Sequence, residues 1–175
     1  MKHLDFCTHV DNVKDGDFLQ RKLFDVNIRL FHSSREYRKI ILDCCDYILW
    51  CAVTEKEGYP VPLGWSGANA GIPFNIIAIS RPKWIFINPR IVEHVWTYGK
   101  YHKVRNVQSN CGSLTLPKKI NIIRADMIRV EYFNTGGEFQ NQWFRWRDCA
   151  STIQHEVDHN DGVLITDREV HRKVR

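Results

Sequence analysis

The sequence predicts an α+β domain in which antiparallel β-sheets pack around a C-terminal helix. Three observations carry that expectation. Apolar residues recur at helical spacing from Tyr37 to Ala52, short β-rich runs fill the middle of the chain, and a second partly apolar helix closes it before Gly162. At 175 residues, 43% of them hydrophobic and 12% aromatic, a single domain spanning 1–175 can bury a core without cross-links.

Residues 1–32 mix charged and apolar groups without a period, which predicts an extended arm or a short edge strand. Ser33-Ser34 then offers a helix N-cap, with Glu36 in the first turn. After it Tyr37, Ile40, Ile41, Cys44, Ile48, Cys51 and Ala52 share one face of a helix running to about Lys56, where Gly58-Tyr59-Pro60 stops it. Residues 60–73 hold too much Gly and Pro for a helix and predict a loop whose backbone a ligand can approach. Residues 76–79 and 84–87 read as short buried strands, and the polar, basic residues 93–110 as solvated loop. Residues 120–123 and 127–132 suggest a strand pair, and Asn134-Thr135-Gly136-Gly137 a hairpin turn into a third strand. The last helix spans about 147–160, Gly162 sits where a helix-ending glycine belongs, and residues 163–165 follow as strand or tail.

The formal charge of +5 reads first as solubility and second as affinity for an acidic partner such as a ribosome surface; no feature marks a specific nucleic acid. No stretch is apolar over the roughly 18–20 residues of a membrane helix. Met1-Lys2-His3-Leu4-Asp5 lacks an apolar signal core, and Cys44, Cys45 and Cys51 crowd one helix, so the expectation is a cytoplasmic protein with free thiols.

The chemistry concentrates in Gln154-His155-Glu156-Val157-Asp158-His159. Two histidines four apart lie one above the other on a helix and grip one metal ion, and the glutamate between them takes a proton from a bound water. The bland alternative is a charged surface helix. Ala150, Ile153 and Val157 lay an apolar stripe beside the histidines, and charge on a buried helix needs a purpose. A third ligand is then required. One downstream zinc-protease pattern would place it at Ile165; Glu169 and His171 lie in the tail. An upstream thiolate, Cys111 in Asn110-Cys111-Gly112-Ser113-Leu114, is the candidate, against the ordinary fate of an inert cysteine.

Together these segments resemble the peptide deformylases. That family has a G-φ-G-φ-A-A-x-Q loop, an E-G-C-L-S turn and a Q-H-E-x-D-H helix, in that order. The third motif is matched residue for residue by 154–159. Residues 64–73 resemble the first, Ile87-Asn88-Pro89 a strand end, and Arg124-Ala125-Asp126-Met127-Ile128-Arg129-Val130 the strand after the second motif. Asn69 stands for the family's glutamine, and Pro62 for the first glycine. The second motif aligns either on Cys111-Gly112-Ser113 or on Leu116-Pro117; the latter puts Ser113 in the ligand position, and neither recovers the glutamate before the cysteine.

The resemblance implies a peptide-deformylase-like fold and removal of the formyl group from the N-terminal methionine of nascent polypeptides, with transient ribosome contact. It implies one divalent metal, Fe²⁺ or in its place Zn²⁺, Ni²⁺ or Co²⁺, held by Cys111, His155 and His159. Glu156 would be the general base, and the Asn69 amide and Gly112 N–H would hold the oxyanion. Leu63 and Gly64 would pair with the substrate backbone, and Gln154 and Asp158 would orient ligands or anchor the helix, unless Asp158 is a plain surface acid. Two alternatives stand beside this: a deformylase-like metal-binding protein without activity, suggested by Asn69 and the altered second motif, and an unrelated zinc endopeptidase.

Overall fold

The computed structural model describes residues 20–54, 61–96, 105–107, 110–111, 114–115, 120–122, 124–145 and 149–168. Its centre is a strand with no polar face. Ile76–Ile79 (β2) is buried at all four positions, so both sides of the sheet must be covered there. It lies between Gly64–Ser66 (β1) and Trp84–Val95 (β3), followed by Met127–Phe133 (β8) and Phe139–Arg145 (β9), in the order β1-β2-β3-β8-β9, antiparallel throughout. Short pairs of Arg105–Val107 (β4) with Ile120–Ile122 (β7), and of Asn110–Cys111 (β5) with Leu114–Thr115 (β6), stand apart from this sheet.

One face of the sheet is covered by Arg35–Val53 (α2). Ser34 caps it as expected, its hydroxyl accepting from the Tyr37 N–H at 3.2 Å. The buried stripe is Ile41, Cys45, Ile48, Cys51 and Ala52, packed on Ile76, Ala78 and Ile87. The expected face holds: Ile41, Ile48, Cys51 and Ala52 are buried and Tyr37 and Cys44 pack against them, while Cys45 joins the stripe and, of the expected residues, Ile40 alone is exposed. Ile28–Ser33 (α1) precedes it, a helix where an extended arm was expected; it has no helical period to read because six residues make under two turns, and it is held by the Asn27 cap and the buried Phe31.

The other face is covered by Ala150–Asn160 (α3), whose Ala150, Ile153 and Val157 meet Ile77, Ile79, Phe86, Ile128, Val130 and Phe144. Period-2 alternation along β2 thus sends Ile76 and Ala78 to α2 and Ile77 and Ile79 towards α3.

Other expectations need correction. Strand β3 runs through residues 93–95, and residues 105–107 and 110 are strand, so the 93–110 segment is not one loop. Residues 120–122 pair with β4 and not with β8, which is held by β3 and β9. Residues 163–165 form no strand; Ile165–Arg168 is a 3-10 turn. The hairpin at 134–137 is as expected, with the Asn134 Oδ1 accepting from Gly136 and Glu138 N–H groups.

Candidate metal centre

Helix α3 carries the chemistry because of how it is seated. The Gln154 side chain clasps one backbone unit, accepting from the Ala125 N–H at 2.9 Å and donating to the Ala125 carbonyl at 3.0 Å. Asp158 is buried and bridged by two arginines, Arg124 and Arg168. The reading of Asp158 as a surface acid is therefore wrong; its carboxylate fastens the helix. At the C-terminal end, buried Asn160 donates to the Asn75 Oδ1 at 3.1 Å and the Ile76 carbonyl at 3.0 Å. Gly162 follows at φ 76°, the left-handed conformation glycine adopts without strain.

So held, the helix turns His155 and His159 towards each other. Their Nε2 atoms are 3.1 Å apart and the rings meet edge to face, centroids 4.5 Å apart. Two imidazole nitrogens each about 2.0–2.1 Å from one ion stand about 3.3 Å apart at a tetrahedral angle, so the pair is set for a common cation. Burial lowers the His155 pKa to about 3, helped by His159 and Arg124; burial lowers that of His159 to about 4, against Asp158 and with Arg124. Both rings are consequently neutral, the form that ligates. Between them in sequence, Glu156 is 3% exposed, and its Oε2 has no hydrogen-bond partner. Burial raises its pKa to about 8 despite Arg124, the state of a carboxyl group set in a dry site. An orphaned carboxyl oxygen beside two facing imidazoles fits a divalent ion and its water.

Strand β1 approaches this helix closely. A Cβ at Gly64 would lie 2.7 Å from the Thr152 Cγ2 and 3.0 Å from the Glu156 Cγ, so only glycine lets the strand pass. Leu63 just before it is 68% exposed, and its carbonyl accepts from the Ser80 N–H and hydroxyl. Asn69 is buried in the turn after β1 with its N–H on the Ser66 hydroxyl, and its Oδ1 has no partner. Its neighbour Ala68 donates to the Asn160 Oδ1 at 3.3 Å, which ties the turn to the end of α3. Cys111 ends β5 opposite Leu114 of β6; the Cys111 side chain, Gly112 and Ser113 lie outside the described residues, as do Glu169 and His171.

A family model described as polypeptide deformylase matches residues 68–175, more than half of the chain. The chain belongs to the polypeptide deformylase family. Among curated relatives, the peptide deformylase of Rickettsia prowazekii is 29% identical over 59% of this chain, and that of Mesorhizobium japonicum 28% identical over 62% of it. The chain spans 62% of the length of each. An actinonin-bound class I type b peptide deformylase from Acinetobacter baumannii shares the fold at a TM-score of 0.62 and 22% identity, over 88% of this chain and 92% of that one. The deformylase fold expected from the motifs is thereby established.

Several site residues had no assigned role in the sequence. Asn160 gave no signal, since an asparagine at a helix end reads as a cap, and Asn75 stands just before β2 outside any motif. Arg124 and Asn88 lay inside matched strands without a stated purpose. Asn88, at φ 53°, turns its amide onto the Val26 backbone, accepting at 2.7 Å and donating at 2.9 Å, and so pins residues 20–27 to the sheet.

Proposed function

We propose that this protein is a metal-dependent hydrolase that removes the N-formyl group from the N-terminal methionine of nascent polypeptides. The observation that carries the reading is the pair of neutral imidazoles with Nε2 atoms 3.1 Å apart beside the buried, partnerless carboxyl oxygen of Glu156. A structural metal needs no such base, which argues against an inactive metal-binding protein. His155 and His159 would hold one divalent ion together with Cys111, the sulfur being favoured over the Ser113 hydroxyl for an ion of Fe²⁺, Zn²⁺, Ni²⁺ or Co²⁺ type, with Fe²⁺ the native choice. When bound, that ion supplies Lewis acidity to the formyl carbonyl and to the attacking water.

The chain's own residues do the rest. Glu156 accepts a proton from the water as its oxygen bonds to the formyl carbon. The Asn69 amide and the Gly112 N–H donate to the oxygen that gains charge. The C–N bond then breaks as Glu156 returns the proton to the leaving amine, giving formate and a free N-terminus. Gly64 stands on the outer edge of β1, so the substrate backbone would add there as a strand and its sequence is left unread beyond the first side chain; the Leu63 carbonyl is turned inward to Ser80. Cytoplasmic placement accords with the free thiols of Cys44 and Cys45, and transient ribosome contact with a nascent-chain substrate.

The test is formate release from a formyl-methionyl peptide by protein purified without oxygen and reloaded with Fe²⁺ or Ni²⁺. No formate with any metal would overturn the proposal, and cleavage of internal peptide bonds would favour an endopeptidase.

A further inference from the structure

A polar cavity of about 470 Å³ opens on a different face of α3, the one bearing Gln154, Val157, Asp158 and Asp161. Its floor is built on Arg124 and Arg168, which share the carboxylate of Asp158, Arg168 also lying near Asp161 and Asp167. The Arg124 side chain is only 6% exposed, and its Nε and Nη2 have no acceptor. At the rim, Lys22 pairs with Asp161 and Arg90 with Asp25; these pairs are largely exposed and yield readily to solvent or ligand. One wall is apolar, with Ile91, Val157 and the indole of Trp96, which is 41% exposed. The hydrolytic reading uses Asp158 and its two arginines only to seat α3 and gives Lys22, Arg90, Ile91 and Trp96 no role.

We propose that this cavity binds a small organic anion, its carboxylate or phosphate headgroup held by Arg168 above the buried, incompletely partnered guanidinium of Arg124 and its apolar part against Trp96. A guanidinium matches either headgroup through parallel N–H donors. Arg168, whose side chain is 49% exposed, reaches the ligand, whereas the buried Arg124 acts through its charge. The volume lies in the range of small-molecule sites and exceeds what a bare inorganic ion fills.

The metal-loaded full chain would be titrated with phenyl phosphate, with benzoate and with benzyl alcohol as neutral control. Calorimetry gives the affinity, and the indole N–H signal of Trp96, assigned through Trp96→Phe, gives the place. We expect one-to-one binding of an anion at least tenfold tighter than the alcohol, with movement of the Trp96 signal. The tighter of the two anions identifies the headgroup. Arg168→Gln should weaken binding at least fivefold, and Trp96→Ala serves as the second variant if the first does not fold. Anions that bind no tighter than benzyl alcohol would overturn the proposal. So would binding that leaves the Trp96 signal still and survives both substitutions, the behaviour of an anion resting on the metal. Neither result bears on formate release, so the hydrolytic reading stands or falls separately.

Discussion

Glu156 occupies the position where one atom matters most. Glu156→Gln keeps the shape of the side chain and removes the base, so formate release should fall by about 10²–10⁴-fold while metal content, measured by elemental analysis, stays the same. Loss of metal with the activity would make Glu156 a structural group instead. For the third ligand, Cys111→Ala should empty the site and Ser113→Ala should leave it filled; the reverse outcome would assign the serine alignment. Metal-free protein should also show a particular pH dependence. Its two histidines have lowered folded pKa values, so between these and about 6.5 the unfolded chain holds more protons and stability rises with pH. Glu156 has a raised folded value, so from about 4.5 up to about 8 it works the other way. Two groups outweigh one below 6.5 and the carboxyl acts alone above it, which puts the optimum near pH 6.5. Chemical denaturation across pH 4–9 with chelator present checks this, and a stability that climbs steadily past pH 7 would contradict it.

At the scale of elements, the centre depends on how near β1 and the seating contacts bring α3. Gly64→Ala forces a methyl group against Thr152 and Glu156. The expected cost is about 1–3 kcal/mol in unfolding free energy, with a larger proportional loss in formate release than in stability, because the displaced atoms belong to Glu156. Asp158→Ala leaves Arg124 buried beside Arg168 without a counter-charge, and should destabilise the fold by about 3–5 kcal/mol. A change below 1 kcal/mol in urea denaturation would show that Asp158 is not the helix fastening described. The helix and its motif were legible because both periodicity and ligand spacing are local. Its fastenings were not: Gln154 meets Ala125, and Asn160 meets Asn75, across gaps of 29 and 85 residues in sequence.

Across the whole molecule, one sheet serves two cores, and β2 separates them. Ile76→Ala on the α2 side and Ile77→Ala on the α3 side should each cost about 2–5 kcal/mol. Both should lower the same cooperative transition, since the strand is common to both layers; two separate transitions in calorimetry would mean that the layers fold independently. The order of strands follows from this double burial. Strand β8 had to leave the sequence-adjacent β7 for β3 and β9, where Ile128 and Val130 reach the core beneath α3.

The sequence by itself determined the class of fold, the main helices, the hairpin at Asn134 and the histidine–glutamate–histidine spacing, because each rests on neighbours within a few residues. Tertiary structure alone decided that residues 28–33 coil into a helix, that Asp158 is enclosed by two arginines, and that a glycine at 64 is what lets a strand lie against the base. Those outcomes depend on which distant groups share a volume, and a linear pattern carries no measure of that distance.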